Sequence, residues 1–409
     1  MGYAASIVDS LDRFGDAEVD AVTAGSGVFH DRRWFRLLEN SDLSALCRGA
    51  LAYRYVVVTS GGELQALCPF IVTRSASILY HYSLEKLYFT GWQDQLLRVN
   101  PDSTSWSRYA VFGANAYRGL ARRIGTGIEG WVLATSPLSS RGGIACRELP
   151  ASETELVYDA VLDALKGVAT EERLPLCLNA IGESAPLVPA LARGRFAQVF
   201  YMFDNELELG GDGWDGYLHR FPRKTRTNFK YEIRTTEKSG YRFELCRDLE
   251  PVRAEIADSY SATYSKYGDS HFLHPASFWS ALTRALGGNA EAVVARKGED
   301  FAGFSVLLHK GDEMFVYRIG RTPAPDGKEP PVYFSLLAYE PIKRALALGV
   351  RRIWMSGGAW DAKRLRGARG RPFYSHFWFP SARSRLVLGP FVSLFGRINR
   401  AQVARRVGS

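Results

Sequence analysis

Between residues 290 and 320 the apolar positions fall into three short blocks, AEAVVAR, FAGFSVLLHK and EMFVYRIG, separated by KGED and KGDE. Blocks rich in β-branched and aromatic side chains, cut by Gly and charged residues, predict an antiparallel meander. The period then changes. In VYFSLLAYEPIKRALALG, Phe334, Leu337, Ile342, Ala345 and Leu346 fall at helical spacings, three from Phe334 to Leu337 and three and four from Ile342 to Ala345 and Leu346, and Gly349 stands where a helix C-cap belongs. RRIWMSGG reads as one more strand. Three strands, a helix and a strand make an α/β unit with a mixed sheet.

The first half repeats this order. YRYVVVTS, ELQALCPFIVTR beyond a GG turn, and KLYFTG read as strands. ETELVYDAVLDALKG reads as a helix with Val157, Val161 and Leu165 on one face, and LPLCLNAI as the strand after it. Two units of like order predict a structural duplication. Residues 101–131 show no period and are rich in Gly, Ser and Arg, which predicts an inserted loop. The composition shifts at FDNELELGGDG, between about 200 and 212. The expected domains are therefore 1–205 and 206–385, followed by a basic tail over 386–409. A chain of 409 residues, 46% hydrophobic, is long enough for two cores.

Charge adds a candidate chemistry. The formal net charge is +9, and the excess is concentrated in the C-terminal half. Pro222 suits a first helical turn and Gly240 the residue past the last one. Between them Arg223, Arg226, Lys230, Arg234 and Lys238 recur every three or four residues and form one basic stripe. Like charges at this spacing repel by roughly 0.2–0.5 kcal/mol per pair, so a row of them is either solvated or used on an anion. We read it as an anion clamp. The segment DAKRLRGARGR (361–371) is basic too, and from residue 383 the arginines meet no acid, which predicts a solvated, frayed end beyond about 400.

Several classes are disfavoured. No apolar run is long enough to span a bilayer, and the N-terminus lacks a basic region followed by an apolar one, so a cytoplasmic protein is expected. Five widely spaced cysteines without CxxC suggest neither a disulfide framework nor zinc. His271 and His274 have no third ligand nearby, so no metal is expected. GxSxG, Walker and HExxH signatures are missing.

The stretch WDGYLHRFPRKTRTNFKYEIRTTEKSGYRFE resembles the motif of Fem-type aminoacyltransferases, the FemAB-like branch of the GNAT acyltransferase superfamily. PPVYFSLLAYEPIKRALALGVRRIWMSGG and DAKRLRGARGRPFYSHFWFP resemble that family's helix–strand segment and its terminal Lys-x-x-x-Gly segment, and VFHDRRWFRLLE and GGELQALCPF its N-terminal half more loosely. The resemblance implies two tandem GNAT-like domains and acyl transfer to an amine or hydroxyl. The pyrophosphate loop of acetyl-CoA-using relatives is not matched: RIGRTPAPDGKEPPVYF has Pro323, Pro325, Pro330 and Pro331 and no Gly-x-Gly. The expected donor is therefore aminoacyl-tRNA, with tRNA as partner and no separate cofactor. Acyl-CoA is the alternative, and a non-catalytic RNA-binding protein a second one.

By resemblance Lys363 is the cation at the acyl carbonyl, and Arg223, Lys224 and Arg226 hold a phosphate or carboxylate of the acceptor. Tyr317 and Arg318 are expected to face the cleft of a GNAT-like sheet, with Tyr317 as a second catalytic candidate or a packed core aromatic. Lys230, Tyr333 and Ser335 complete the substrate-binding set. Arg234, Lys238, Arg364, Arg366 and Arg369 are the expected nucleic-acid contacts. His376 is a weaker candidate for a proton acceptor, set against a core histidine.

Overall fold

The computed structural model describes residues 2–75, 77–83, 87, 119, 123, 130–265, 273–322 and 331–407. KLYFTG apart from Leu87, nearly all of the expected insertion, His271 and Pro323 to Pro330 lie outside the described residues. The chain divides into two compact units. The first comprises 1–202, 269–272 and 372–405, and the second 203–268, 273–371 and 406–409. The units are thus interleaved, where the sequence led us to draw contiguous segments. Strands β7 (Ala197–Glu208) and β13 (Arg369–Trp378) each cross from one unit into the other.

The first unit builds its sheet from β1 (Ala4–Val8), β2 (Leu51–Ser60), β3 (Glu63–Thr73), β4 (Trp131–Ala134), β6 (Leu176–Gly182) and the distal part of β13, with β5 (Ala145–Cys146) against β3. All neighbours are antiparallel except β4 and β6, which pair in parallel over Val132↔Leu176 to Ala134↔Leu178. The long helix Ala151–Glu172 buries Val157, Val161 and Leu165 against this sheet, which is the face that the sequence period marks.

The second unit follows the same plan. Its sheet runs from the second part of β7 through β12 (Arg352–Trp354), β11 (Glu313–Arg321), β10 (Asp300–Lys310) and β9 (Ala290–Lys297) to β8 (Tyr241–Cys246). Here β11 and β12 make the parallel pair, Glu313↔Arg352 to Phe315↔Trp354. The meander turns are two residues long. Lys297 pairs Asp300 and Lys310 pairs Glu313, and Gly298 and Gly311 take φ of +65° and +59°. Tight hairpins need that left-handed backbone, and glycine adopts it without steric cost.

The helix after the meander is one run built from Val332–Phe334, a π-helical stretch Ser335–Tyr339, and Glu340–Ala347. It buries Leu336, Leu337, Tyr339 and Ile342 in the core of this unit. RRIWMSGG is a strand over three residues only, and Met355 onwards is loop. The basic C-terminal segment is helical over Ala382–Val407 and buries Leu388 and Val392; beyond 400, where a solvated end is expected, Ala401 is exposed.

Candidate active site

The parallel pairing of β11 with β12 stops at Phe315 and Trp354, yet β11 continues for six residues, Val316 to Arg321. On that side, among the described residues, no strand pairs with them. At the end of β11 the Arg321 N–H donates to Thr263 Oγ1 at 2.9 Å; the outward backbone groups before it form an open edge next to the loop that leaves β12. A bulge falls at the same place: Leu307 faces Val316 and Val306 faces Arg318, which leaves Tyr317 as the extra residue. Bulges redirect side chains and recur beside functional sites.

Tyr317 is buried, and the Arg318 guanidinium lies over its ring at 4.0 Å while donating to its carbonyl oxygen at 2.8 Å. The structure thus joins these two expected residues. It adds Tyr260, which the sequence did not flag, and His274, which the sequence raised only as a metal ligand and set aside. The His274 ring is parallel to Tyr317 at 6.3 Å and to Tyr260 at 5.8 Å, and stacks on Phe278 at 4.3 Å. Burial, and secondarily the Arg318 charge, pull the His274 pKa well below its usual value. Its imidazole is neutral near pH 7. Burial raises Tyr260 to about 12, partly opposed by Arg318.

The loop Met355–Ala359 follows β12, and Lys363 lies behind it. Lys363 is 2% exposed. Its Nζ donates to three successive carbonyls, Met355 at 2.6 Å, Ser356 at 3.0 Å and Gly357 at 3.1 Å. An ammonium has three N–H groups, so all are engaged. Lys363 is therefore not an open cation presented to an acyl carbonyl, as the sequence resemblance implied, but the clasp of this loop. Burial lowers its pKa to about 8, with the charge of buried Asp204 acting the other way. Asn205 adds a second clasp, donating from Nδ2 to the Ser356 oxygen at 2.7 Å. The held backbone is unusual: Ser356 and Ala359 take φ of +57° and +46° without being glycine. Such conformations persist only where surrounding contacts hold them.

Trans peptides carry N–H opposite C=O. With the oxygens of 355, 356 and 357 turned to Nζ, the N–H groups of Ser356, Gly357 and Gly358 point away from it. These three residues are exposed, and among the described residues no group accepts from their N–H. The loop therefore offers hydrogen-bond donors next to the open edge of β11.

Arg366 also requires correction. Expected on a nucleic-acid surface, it is 2% exposed. Its Nη2 reaches Glu232 Oε2 at 2.5 Å and Tyr339 Oη at 3.1 Å, its Nη1 reaches the Ala362 oxygen at 2.8 Å, and its plane lies over Phe334 at 4.0 Å. The Tyr339 hydroxyl donates to the same Glu232 oxygen. The site thus ties the basic helix to the π-helical stretch.

That basic helix spans Arg223–Lys238 and buries only Phe229 and Thr236. Arg223, Lys224, Lys230, Arg234 and Lys238 are exposed, and among the described residues none of them meets a carboxylate. Arg226 differs, being half-buried and donating to the Phe221 oxygen at 2.9 Å. Of the other expected residues, Arg369 is exposed, Arg364 is paired with Asp361 at 3.0 Å, Tyr333 receives Arg321 over its ring at 5.7 Å, and Ser335 is buried in the helical run. His376 belongs to the first unit, where burial lowers it to about 4.

Comparison with known proteins gives these observations a frame. Residues 223–364 match the model of the acetyltransferase (GNAT) domain. No curated protein matches the chain in sequence. Among solved structures, FemX is similar over 91% of this chain and 97% of its own, with TM-score 0.53 and 11% identity. The tandem GNAT protein from the clavulanic acid biosynthesis pathway gives TM-score 0.44 and 9% identity over 93% and 99% of the two chains. L-PGS from Bacillus licheniformis gives TM-score 0.43 and 12% identity over 64% and 82%. Residues 223–364 thus match a GNAT domain, in a chain whose fold is similar to that of FemX.

Proposed function

We propose that the protein transfers an aminoacyl group from aminoacyl-tRNA to an amine or hydroxyl of a small or peptide-like acceptor. The observation that carries this reading is the row Arg223, Lys230, Arg234 and Lys238, exposed and, among the described residues, without acidic partners on a helix of the GNAT domain. Lys and Arg that neutralise successive phosphates supply most of the affinity for a nucleic-acid backbone. The acceptor nitrogen or oxygen attacks the ester carbonyl and the new amide or ester forms. The ester to the terminal ribose breaks, and the proton lost by the acceptor ends on the released ribose hydroxyl.

The protein's part is to position the reactants and stabilise the oxyanion between them. Backbone N–H groups of the Ser356–Gly358 loop and the open edge of β11 are the donors for that charge, and Lys363 acts through the loop as a positioning residue. Neutral His274 with Tyr317 and Arg318 lies behind the bulged edge.

Acyl-CoA remains the second reading, favoured by the match to an acetyltransferase domain. The deciding experiment offers the protein and a mixed amine pool either labelled aminoacyl-tRNA or labelled acyl-CoA. Transfer from the first that ribonuclease abolishes supports the proposal. Turnover with acyl-CoA in RNA-free buffer overturns it in favour of the second reading, and binding of tRNA with transfer from neither donor points to a binding protein.

A further inference from the structure

The helix Ala382–Val407 has a face that the acyltransferase reading leaves unused. Leu386 and Leu394 are 77% and 53% exposed, the two most exposed leucines at the C-terminal end of the chain. They lie eight residues apart with exposed Pro390 midway, and Arg383 and Arg397, also exposed, stand three residues outside them. At 3.6 residues per turn these five positions fall on one side of the helix. Arg400 and Ala401 continue that side, both exposed. Ser384, Leu388, Phe391 and Val392 are buried on the other side. The helix contains no acidic residue.

We propose that this outward face rests on the surface of an anionic lipid bilayer, with Leu386, Pro390 and Leu394 in the headgroup–acyl boundary and Arg383, Arg397 and Arg400 on lipid phosphates. A nucleic-acid backbone would use the arginines but gain nothing from two bare leucines between them. A protein partner would bring side chains chosen against those leucines, and the helix offers it no acid to pair with. Lipid matches both parts, since interfacial helices combine buried apolar side chains with attraction of Lys and Arg to anionic headgroups. No helix among the described residues is long and apolar enough to cross a membrane, so the contact is one of lying on the surface. The proposal is independent of the acyl donor.

The test is co-sedimentation of the full chain with phosphatidylcholine vesicles, with and without phosphatidylglycerol. Binding to the anionic vesicles should be about tenfold or more tighter than to neutral ones and should weaken with salt. Leu386→Ser/Leu394→Ser should lower it by a similar factor while far-UV circular dichroism and Tm stay unchanged, because both side chains are already in water. Arg383→Gln/Arg397→Gln should remove the preference for phosphatidylglycerol. Equal partition into both vesicles, or binding untouched by the leucine variant, overturns the proposal. So does a result in which the arginine variant weakens tRNA retention and leaves vesicle binding intact, which would make the face a nucleic-acid contact.

Discussion

Nη2 of Arg366 lies 2.5 Å from Oε2 of Glu232, 134 residues away in sequence, with both side chains largely withdrawn from water. Tyr339 hydrogen-bonds to both. The pair fixes the basic helix to the helical run Val332–Ala347, and its value lies in mutual satisfaction. Removing one partner strands the other charge, which costs about 3–5 kcal/mol in buried pairs. Glu232→Gln and Arg366→Met should each lose stability on that scale in urea unfolding. Arg366→Lys should not restore it, because an ammonium cannot reproduce the planar fork stacked over Phe334. Tyr339→Phe keeps the ring and should cost less, about 1–2 kcal/mol.

Lys363 predicts a pH signature. Its folded pKa of about 8 lies below the ordinary 10.5. Between those values the unfolded chain holds a proton that the folded chain has released, so stability rises with pH across that window. The gain approaches about 3 kcal/mol at its upper end. Buried tyrosines such as Tyr260 act in the opposite direction above pH 10, because the unfolded chain loses their protons first. Comparison of the wild type with Lys363→Met from pH 7 to about 10 isolates the lysine. The upward slope should belong to the wild type alone, and parallel curves would refute the depressed pKa.

Lys363 should also separate turnover from binding. Losing the clasp frees the carbonyls of 355–357 and lets the loop's N–H groups drift, which harms a transition state that needs them more than a ground state that does not. Lys363→Met should lower kcat by more than tenfold with little change in KM. A change confined to KM would place the loop in substrate binding instead.

Arg223→Ala/Lys230→Ala/Arg234→Ala tests the stripe. All three side chains are exposed and like-charged, so Tm should hold or rise slightly. If each meets a phosphate, tRNA affinity should fall by tenfold or more, and the slope of log K against log salt should shrink by about 2–3. Arg226 is left out because its bond to the Phe221 oxygen makes it a helix-start support. Unchanged tRNA binding and salt slope would make the stripe a solvated face.

In the first unit, Gly142 is set by close approach and not by turn geometry. A Cβ there would lie 1.8 Å from the Asn179 carbonyl oxygen. Backbone cannot yield as a side-chain tip does, so Gly142→Ala should destabilise by about 1–3 kcal/mol or more, read as a lower midpoint in denaturant.

What the sequence by itself determined is local. The meander, the helix Ala151–Glu172 and the basic helix were legible because period-two and period-3.6 patterns and two-residue Gly turns are written in adjacent residues. The order of those elements was enough to indicate a mixed α/β fold in two similar units. The strands β7 and β13 were not read, since AQVFYMFDNELE and RGRPFYSHFW carry no clean alternation and each passes from one compact unit to the other. Only the tertiary structure decided which cations are used inwardly. Arg364 and Arg366 stand two residues apart in one basic run, yet one is exposed and the other is sealed against Glu232 and three aromatic rings. Lys363 was expected by resemblance at an acyl carbonyl, and its actual surroundings were not legible, because the three carbonyls it clasps are gathered by a loop whose left-handed residues, Ser356 and Ala359, no propensity would assign. Charge in a sequence has sign and spacing, but whether it meets solvent, a carboxylate or a ring depends on what the fold brings from a hundred residues away.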